Sequence, residues 1–135
     1  MATKTDPKFK SKVLLVEDDK MLADMYVTKF SKEGMEILKA DDGAQGLEMA
    51  KQHKPDLILL DIIMPKLDGF AVLKELKKDP NMSDTHILLL TNLGQSEDVE
   101  KGKQLGADDY FIKANHTPAE IVTKVKYLLT NKIKQ

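Results

Sequence analysis

Hydrophobic and polar positions along the chain form short apolar runs separated by amphipathic stretches. The runs "VLLV", "LILL" and "ILLL" are continuous rather than alternating. A continuous run is typical of a strand buried on both faces, as in a parallel sheet covered by helices. The pattern predicts five strands: Val13–Glu17, Glu36–Ala40, Leu57–Asp61, His86–Thr91 and Asp109–Lys113.

The amphipathic stretches predict five helices, one after each strand. We expect Asp19 to be the N-cap of the first helix and Gly34 to end it. The fourth helix, near Ser96–Leu105, has a very small apolar face. The fifth begins with a capping box, "TPAE", whose proline is at N1 and whose first residue is Thr117.

Alternating strands and helices predict an α/β fold, a doubly wound parallel sheet with right-handed crossovers. The chain of 135 residues suits a single domain. We expect that domain at residues 12–131. Residues 1–11 are predicted to be a disordered polar arm, and residues 132–135 a C-terminal tail or the start of a linker.

Composition excludes several functions. The chain has no cysteine, so thiol catalysis and cysteine-based metal sites are ruled out. All 21 basic residues are lysine and the formal net charge is −1. Since arginine is the usual reader of guanine edges, we expect no direct binding to nucleic acid. The apolar runs are too short for a membrane span, and the polar start does not resemble a signal peptide. We therefore expect a cytoplasmic protein without membrane contact.

Charged side chains stand where the predicted strands end. Glu17 and Asp18 end the first strand, Asp61 ends the third, and Lys113 ends the fifth. The carboxyl ends of parallel strands meet at one edge of an open α/β sheet, where ligands bind. Two like charges 4 Å apart repel by ~4 kcal/mol at an effective dielectric of 20. The cluster therefore predicts a bound cation, and Mg²⁺ suits a site with few carboxylates.

A carboxylate at a rigid strand end, beside a metal and a lysine, indicates phosphoryl transfer, which depends on placement and charge neutralisation. Asp61 would act as the nucleophile and form an acyl phosphate. Mg²⁺ and Lys113 would offset the charge of the phosphoryl oxygens, and Thr91 would donate a hydrogen bond to one of them.

Four motifs in order along the chain resemble the response-regulator receiver domain of two-component signalling. They are "VLLVEDD", "DLILLDIIMPKLDG", "LLLTN" and "GADDYFIK". The likeness covers nearly the whole chain and includes single-domain, chemotaxis-regulator-like members. It implies a flavodoxin-like sheet of five parallel strands in the order 2-1-3-4-5, with five helices.

The resemblance also implies roles for individual residues. Asp61 matches the phosphorylated aspartate. Asp18 would bind Mg²⁺ directly, Glu17 through a water, and the carbonyl oxygen of Ile63 would complete the protein ligands. Lys113 matches the family's phosphoryl-binding lysine.

In this family, an aromatic residue turns inward when a hydroxyl residue moves toward the phosphate. Thr91 occupies the position of the hydroxyl residue, and Tyr110 that of the aromatic one. The resemblance implies a phosphoacceptor that assists its own phosphorylation and dephosphorylation, rather than an enzyme acting on other substrates. A sensor histidine kinase or a phosphotransfer protein would be the donor. Output would reach an unidentified downstream protein through the fourth helix, fifth strand and fifth helix.

Three positions are expected to tune the lifetime of the phosphoryl group. Ile63 and Leu93 stand two residues after Asp61 and Thr91, where fast-decaying members hold the hydrolytic water. Neither side chain can bind water, and Asn92 is larger than the family's usual residue there, so we predict slow decay. Ala114 replaces the family's proline after the lysine, and we predict a trans Lys113–Ala114 peptide bond.

Three alternative functions make different demands on the sequence. A phosphatase of the haloacid dehalogenase type would need a second acid at Ile63. A flavodoxin-type electron carrier would need a Ser/Thr-rich first loop, whereas "VEDDKML" is acidic. A degenerate receiver that binds partners without phosphorylation is the remaining alternative, although the intact Asp18, Asp61, Thr91 and Lys113 disfavour it.

Overall fold

A computed structural model describes residues 11–64, 68–92 and 96–134 of the chain. Its strands are β1 (Lys12–Val16), β2 (Glu36–Ala40), β3 (Leu57–Leu60), β4 (His86–Thr91) and β5 (Asp109–Ile112). Its helices are α1 (Lys20–Lys32), α2 (Gly43–His53), α3 (Gly69–Lys78), α4 (Ser96–Gln104) and α5 (Pro118–Lys134). Short 3₁₀ turns lie at Pro80–Met82 and Lys113–Asn115.

The five strands form one parallel sheet in the order β2-β1-β3-β4-β5, which confirms the predicted fold. The register aligns Val16 of β1 with Leu60 of β3, and Leu60 with Leu89 of β4. The carboxyl ends of the three central strands therefore lie side by side at one edge.

Two apolar clusters cover the two faces of the sheet. Alternate residues of β1 point to opposite clusters: Val13 and Leu15 pack with α1 and α5, and Leu14 and Val16 pack with α2 and α3. Residues 57–60 of β3 are fully buried. Burying a Leu or Ile side chain contributes about 1.5–3 kcal/mol, so the central strands are the most stabilised part of the domain.

Local signals place the helix ends. The Asp19 side chain accepts a hydrogen bond from the backbone N–H of Leu22 (3.1 Å), as the N-cap prediction required. Gly34, with φ +79°, follows α1 in the left-handed conformation that favours glycine. Thr117 and Glu120 exchange both bonds of the capping box, at 3.0 and 3.2 Å. The bond from the Thr117 backbone N–H holds the pKa of Glu120 below its ordinary value.

Strand ends and termini differ in detail from the sequence-based expectations. β1, β3 and β5 each end one residue before the predicted boundary. α5 continues through Lys134, into the segment expected to be a tail, because no glycine or proline after Pro118 interrupts the helix. The predicted disordered arm lies outside the described residues except for Ser11. No described peptide bond is cis, which confirms the trans Lys113–Ala114 bond.

Candidate functional site

The sheet holds the backbone of the acidic residues beyond the ends of the strands. The N–H of Glu17 donates to the carbonyl oxygen of Ala40, and the N–H of Asp61 donates to that of Val16, both at 3.1 Å. These bonds extend the pattern of the parallel ladder by one residue. The backbone of Glu17 and of Asp61 is therefore held in place by hydrogen bonds to the neighbouring strands.

The carboxylates predicted to meet at this edge form one cluster. Oxygens of Glu17, Asp18 and Asp61 all lie within 4.8 Å of one another. Glu17 and Asp61 are buried, with 2% and 5% of their surface exposed, whereas Asp18 is exposed. Lys113 Nζ joins the two buried acids, at 2.6 Å from Glu17 Oε1 and 3.0 Å from Asp61 Oδ2.

Burial is the largest influence on the two shifted groups of this cluster, Glu17 and Lys113. Burial raises the pKa of Glu17 to about 7. The hydrogen bonds from Lys113 and from the Asp19 N–H act against this increase, and the charge of Asp61 adds to it. Burial alone would lower the pKa of Lys113, but its hydrogen bonds to Glu17 and Asp61, together with their charges, raise it. Among the described residues, the Lys113 ammonium thus faces three carboxylates, which leaves this part of the site with excess negative charge.

The donor set fits a hard divalent cation. Three carboxylates supply oxygen ligands, the type that Mg²⁺ prefers, and exposed Asp18 leaves room for the waters it retains. Ile63, whose carbonyl was predicted as a further ligand, is 57% exposed, and its N–H donates to Asp61 Oδ1 at 3.2 Å. That bond orients the Asp61 carboxylate from the side opposite Lys113.

Two more predicted residues, Thr91 and Tyr110, belong to β4 and β5. Thr91 is fully buried at the end of β4 and is aligned with Ile112, the residue before Lys113. Asn92 is exposed directly after it, and Leu93 lies outside the described residues. Tyr110 is half-buried, and burial, with the charges of Asp98 and Asp61, raises its pKa to about 12.

One neighbour of the acidic cluster was not predicted from the sequence. Tyr26 belongs to the apolar face of α1 and stacks on Phe30, with ring centroids 6.2 Å apart. Burial raises its pKa to about 12, and the charge of Glu17 adds to the increase. Its position in the apolar period of α1 indicated only packing, so no sequence signal pointed to this neighbour.

A buried aspartate at the tip of a central strand, with an acidic pair and a lysine beside it, defines a receiver-type α/β domain. The chain belongs to the response regulator receiver domain family, whose model matches residues 13–126. It is 40% identical over 129 residues to the probable transcriptional regulator ycf27 of Guillardia theta, a match covering 94% of this chain and 49% of that protein. It is also 37% identical to the alkaline phosphatase synthesis transcriptional regulatory protein PhoP of Bacillus subtilis, a match covering 87% of this chain and 48% of that protein.

Solved structures agree with this assignment. The receiver domain of the Francisella response regulator 1452 superposes with a TM-score of 0.82 and 33% identity, covering 90% of this chain and 98% of that one. The chemotaxis protein CheY4 of Vibrio cholerae superposes with a TM-score of 0.81 and 28% sequence identity, covering 88% of this chain and 98% of that one. The chain spans about half the length of the curated relatives it matches. Among the described helices, none has the length and apolar character needed to cross a membrane.

Proposed function

We propose that the protein is a phosphorylation-dependent signalling switch whose phosphoryl acceptor is Asp61. The observation that carries this proposal is the Asp61 carboxylate itself, which is buried at a rigid strand end with Lys113 Nζ 3.0 Å away. The donor is a phosphohistidine on a sensor histidine kinase or a phosphotransfer protein. We take the receiver domain to span residues 12–131.

In the proposed reaction, an Asp61 carboxylate oxygen attacks the phosphorus while the bond from phosphorus to the donor nitrogen breaks. The electron pair of that bond remains on the donor imidazole, and an acyl phosphate forms on Asp61. Lys113, already within hydrogen-bonding distance of Asp61, neutralises charge on the transferred oxygens. The Thr91 hydroxyl donates to another of these oxygens.

Magnesium would be held by Glu17, Asp18 and Asp61, with the Ile63 carbonyl oxygen as a further ligand. When bound, it neutralises negative charge on the phosphoryl oxygens. The excess of carboxylates over ammonium groups in the cluster supports this assignment. The protein's own residues orient the acceptor, because Lys113 and the Ile63 N–H hold opposite oxygens of Asp61.

Output is proposed to pass through α4, β5 and α5 to a downstream protein. Tyr110 supports this proposal, since it lies on β5 with its ring next to Gly102 of α4, and the charges of Asp98 on α4 and of the acceptor Asp61 both act on it. The curated relatives named above are transcriptional regulators, and they are about twice as long as this chain. Since the matched half is the receiver domain, we propose protein contact as its own output and no direct contact with nucleic acid.

Intact-mass measurement after incubation with Mg²⁺ and acetyl phosphate tests the acceptor. The wild type should gain one phosphoryl group, and Asp61→Asn, which keeps the shape of the side chain, should gain none. Asp41→Asn, at an exposed aspartate outside the cluster, is the matched control and should behave like the wild type. Phosphorylation of Asp61→Asn to the wild-type extent would overturn the assignment. Absence of phosphorylation in the wild type would favour the degenerate receiver instead.

A further inference from the structure

The first residue of α3, Gly69, is buried directly against the backbone that carries the acceptor. A Cβ added at Gly69 would lie 2.5 Å from Ile62 Cα and 3.0 Å from the carbonyl carbon of Asp61, and closer still to the Asp61 carbonyl oxygen. Real Cβ atoms essentially never approach other atoms so closely. Only glycine therefore allows α3 to begin at this distance from β3.

Hydrogen bonds fix the first turn of α3 in this position. The Gly69 N–H donates to the carbonyl oxygen of Ile62 at 2.9 Å. The side chain of Asp68 caps the helix by accepting from the Ala71 N–H at 3.0 Å. The start of α3 and the residues after β3 thus form one hydrogen-bonded unit.

Other glycines approach their neighbours differently. A Cβ at Gly46 would meet the side-chain methyls of Val16, and one at Gly102 would meet the side chains of Leu89 and Tyr110. Side chains can rotate aside, whereas the atoms facing Gly69 belong to the backbone of Asp61 and Ile62. A side chain at position 69 must therefore move either α3 or the acceptor segment.

We propose that Gly69 is a positioning residue for phosphoryl transfer, an inference that rests on the proposed function. Its missing side chain lets α3 hold the 61–63 backbone so that the Asp61 carboxylate meets Lys113 on one side and the Ile63 N–H on the other. These contacts, at 3.0 and 3.2 Å, depend on where the Asp61 and Ile63 backbone lies. Displacing it misdirects the nucleophile and shifts two of the proposed Mg²⁺ ligands together.

Gly69→Ala tests the inference through two measurements on the whole chain. We expect the rate of phosphorylation by acetyl phosphate at saturating Mg²⁺ to fall at least tenfold, and the Kd for Mg²⁺, from calorimetric titration, to rise several-fold. Gly34→Ala is the control. It strains a position at φ +79° with no atom within 4 Å of the added Cβ, at the end of α1 away from the site. It should lower thermal stability while leaving both measurements within twofold of the wild type.

Asp68→Ala keeps the inference testable if Gly69→Ala does not fold. It removes the cap of α3 without a clash, and we expect a rate decrease of a few-fold. Asp42→Ala removes the equivalent bond at the start of α2, where Asp42 accepts from the Gln45 N–H at 2.8 Å, and should leave the rate unchanged.

If Gly69→Ala folds and has the wild-type phosphorylation rate and Mg²⁺ affinity, the inference is overturned. If Gly69→Ala does not fold, equal phosphorylation rates in Asp68→Ala and Asp42→Ala overturn it. A wild type that accepts no phosphoryl group would instead refute the proposed function. In that event the Mg²⁺ affinities decide the inference. Weaker binding in Gly69→Ala but not in Gly34→Ala supports positioning, and equal binding overturns it.

Discussion

Replacing Glu17 with glutamine should stabilise the metal-free protein at pH 8. Burial raises the pKa of Glu17 from 4.5 to about 7, so the folded state binds a proton more tightly than the unfolded state does. Below pH 4.5 both states are protonated at Glu17, and this residue imposes no penalty on folding. As pH rises from 4.5 to about 7, the unfolded state gives up its proton while the folded state still holds it, so the free energy of unfolding falls. It stays lower above pH 7, where both states are ionised at Glu17.

The size of the effect follows from the difference between the two pKa values. From 4.5 to about 7, at about 1.4 kcal/mol for each pH unit, the penalty at pH 8 is at most roughly 3–4 kcal/mol. Glutamine cannot ionise and so removes this penalty. The loss of the charge-assisted bond from Lys113 is already contained in this figure, because that bond is one of the causes that set the pKa of Glu17 near 7. The net gain at pH 8 should therefore be on the order of 3 kcal/mol.

Urea unfolding at pH 5 and pH 8, in buffer with a chelator, measures this difference. The wild type should lose more stability between the two pH values than Glu17→Gln does. Glu36→Gln, at an exposed glutamate on β2, is the matched control and should follow the wild type. If Glu17→Gln and the wild type change in parallel with pH, the buried carboxylate does not carry the proposed penalty and the reasoning fails.

Three other predictions concern the metal, the last helix and the lifetime of the signal. In thermal unfolding, Mg²⁺ at one hundred times its Kd should stabilise the wild type by ~2.7 kcal/mol, and Asp18→Ala should lose most of that gain. An equal gain in stability in both proteins would exclude Asp18 as a ligand. Thr117→Ala removes the N-cap of α5 and should cost about 1 kcal/mol in urea unfolding, whereas an unchanged midpoint would show that the cap contributes nothing. The double variant Ile63→Asn, Leu93→Glu should lose its phosphoryl group faster than the wild type by intact mass after donor removal, with about 1.4 kcal/mol of barrier for each tenfold change; decay at the wild-type rate would refute control by these positions.

The sequence predicted the sheet well because burial on both faces leaves a clear signal. The continuous apolar run "ILLL" located β4 with its observed bounds, and the bounds of β2 were also predicted as observed. β3 ends at Leu60 rather than at the predicted Asp61, yet the Asp61 N–H still bonds to Val16. The boundary differs because the chain turns away from the sheet after this bond.

Contacts between elements distant in sequence were harder to predict. The meeting of Lys113 with Glu17 and Asp61 followed from a general rule about strand ends. By contrast, the Asp108 side chain accepts a hydrogen bond from the Ile87 N–H at 2.7 Å, and Gly69 packs on the acceptor backbone. Both depend on how closely two elements cross, and local patterns of polarity carry no information about that distance.

Helix α4 buries little apolar surface against the sheet, and this affects how easily it can move. Within Ser96–Gln104 the buried residue is Gly102, which offers no side chain to the core, while the strand that precedes Asp61 is buried throughout. Helices with little buried apolar surface open at small free-energy cost. The domain is therefore rigid around Asp61, where a covalent bond would form, and easily deformed at α4. A local energy change of a few kcal/mol can alter the position of α4 without unfolding the sheet.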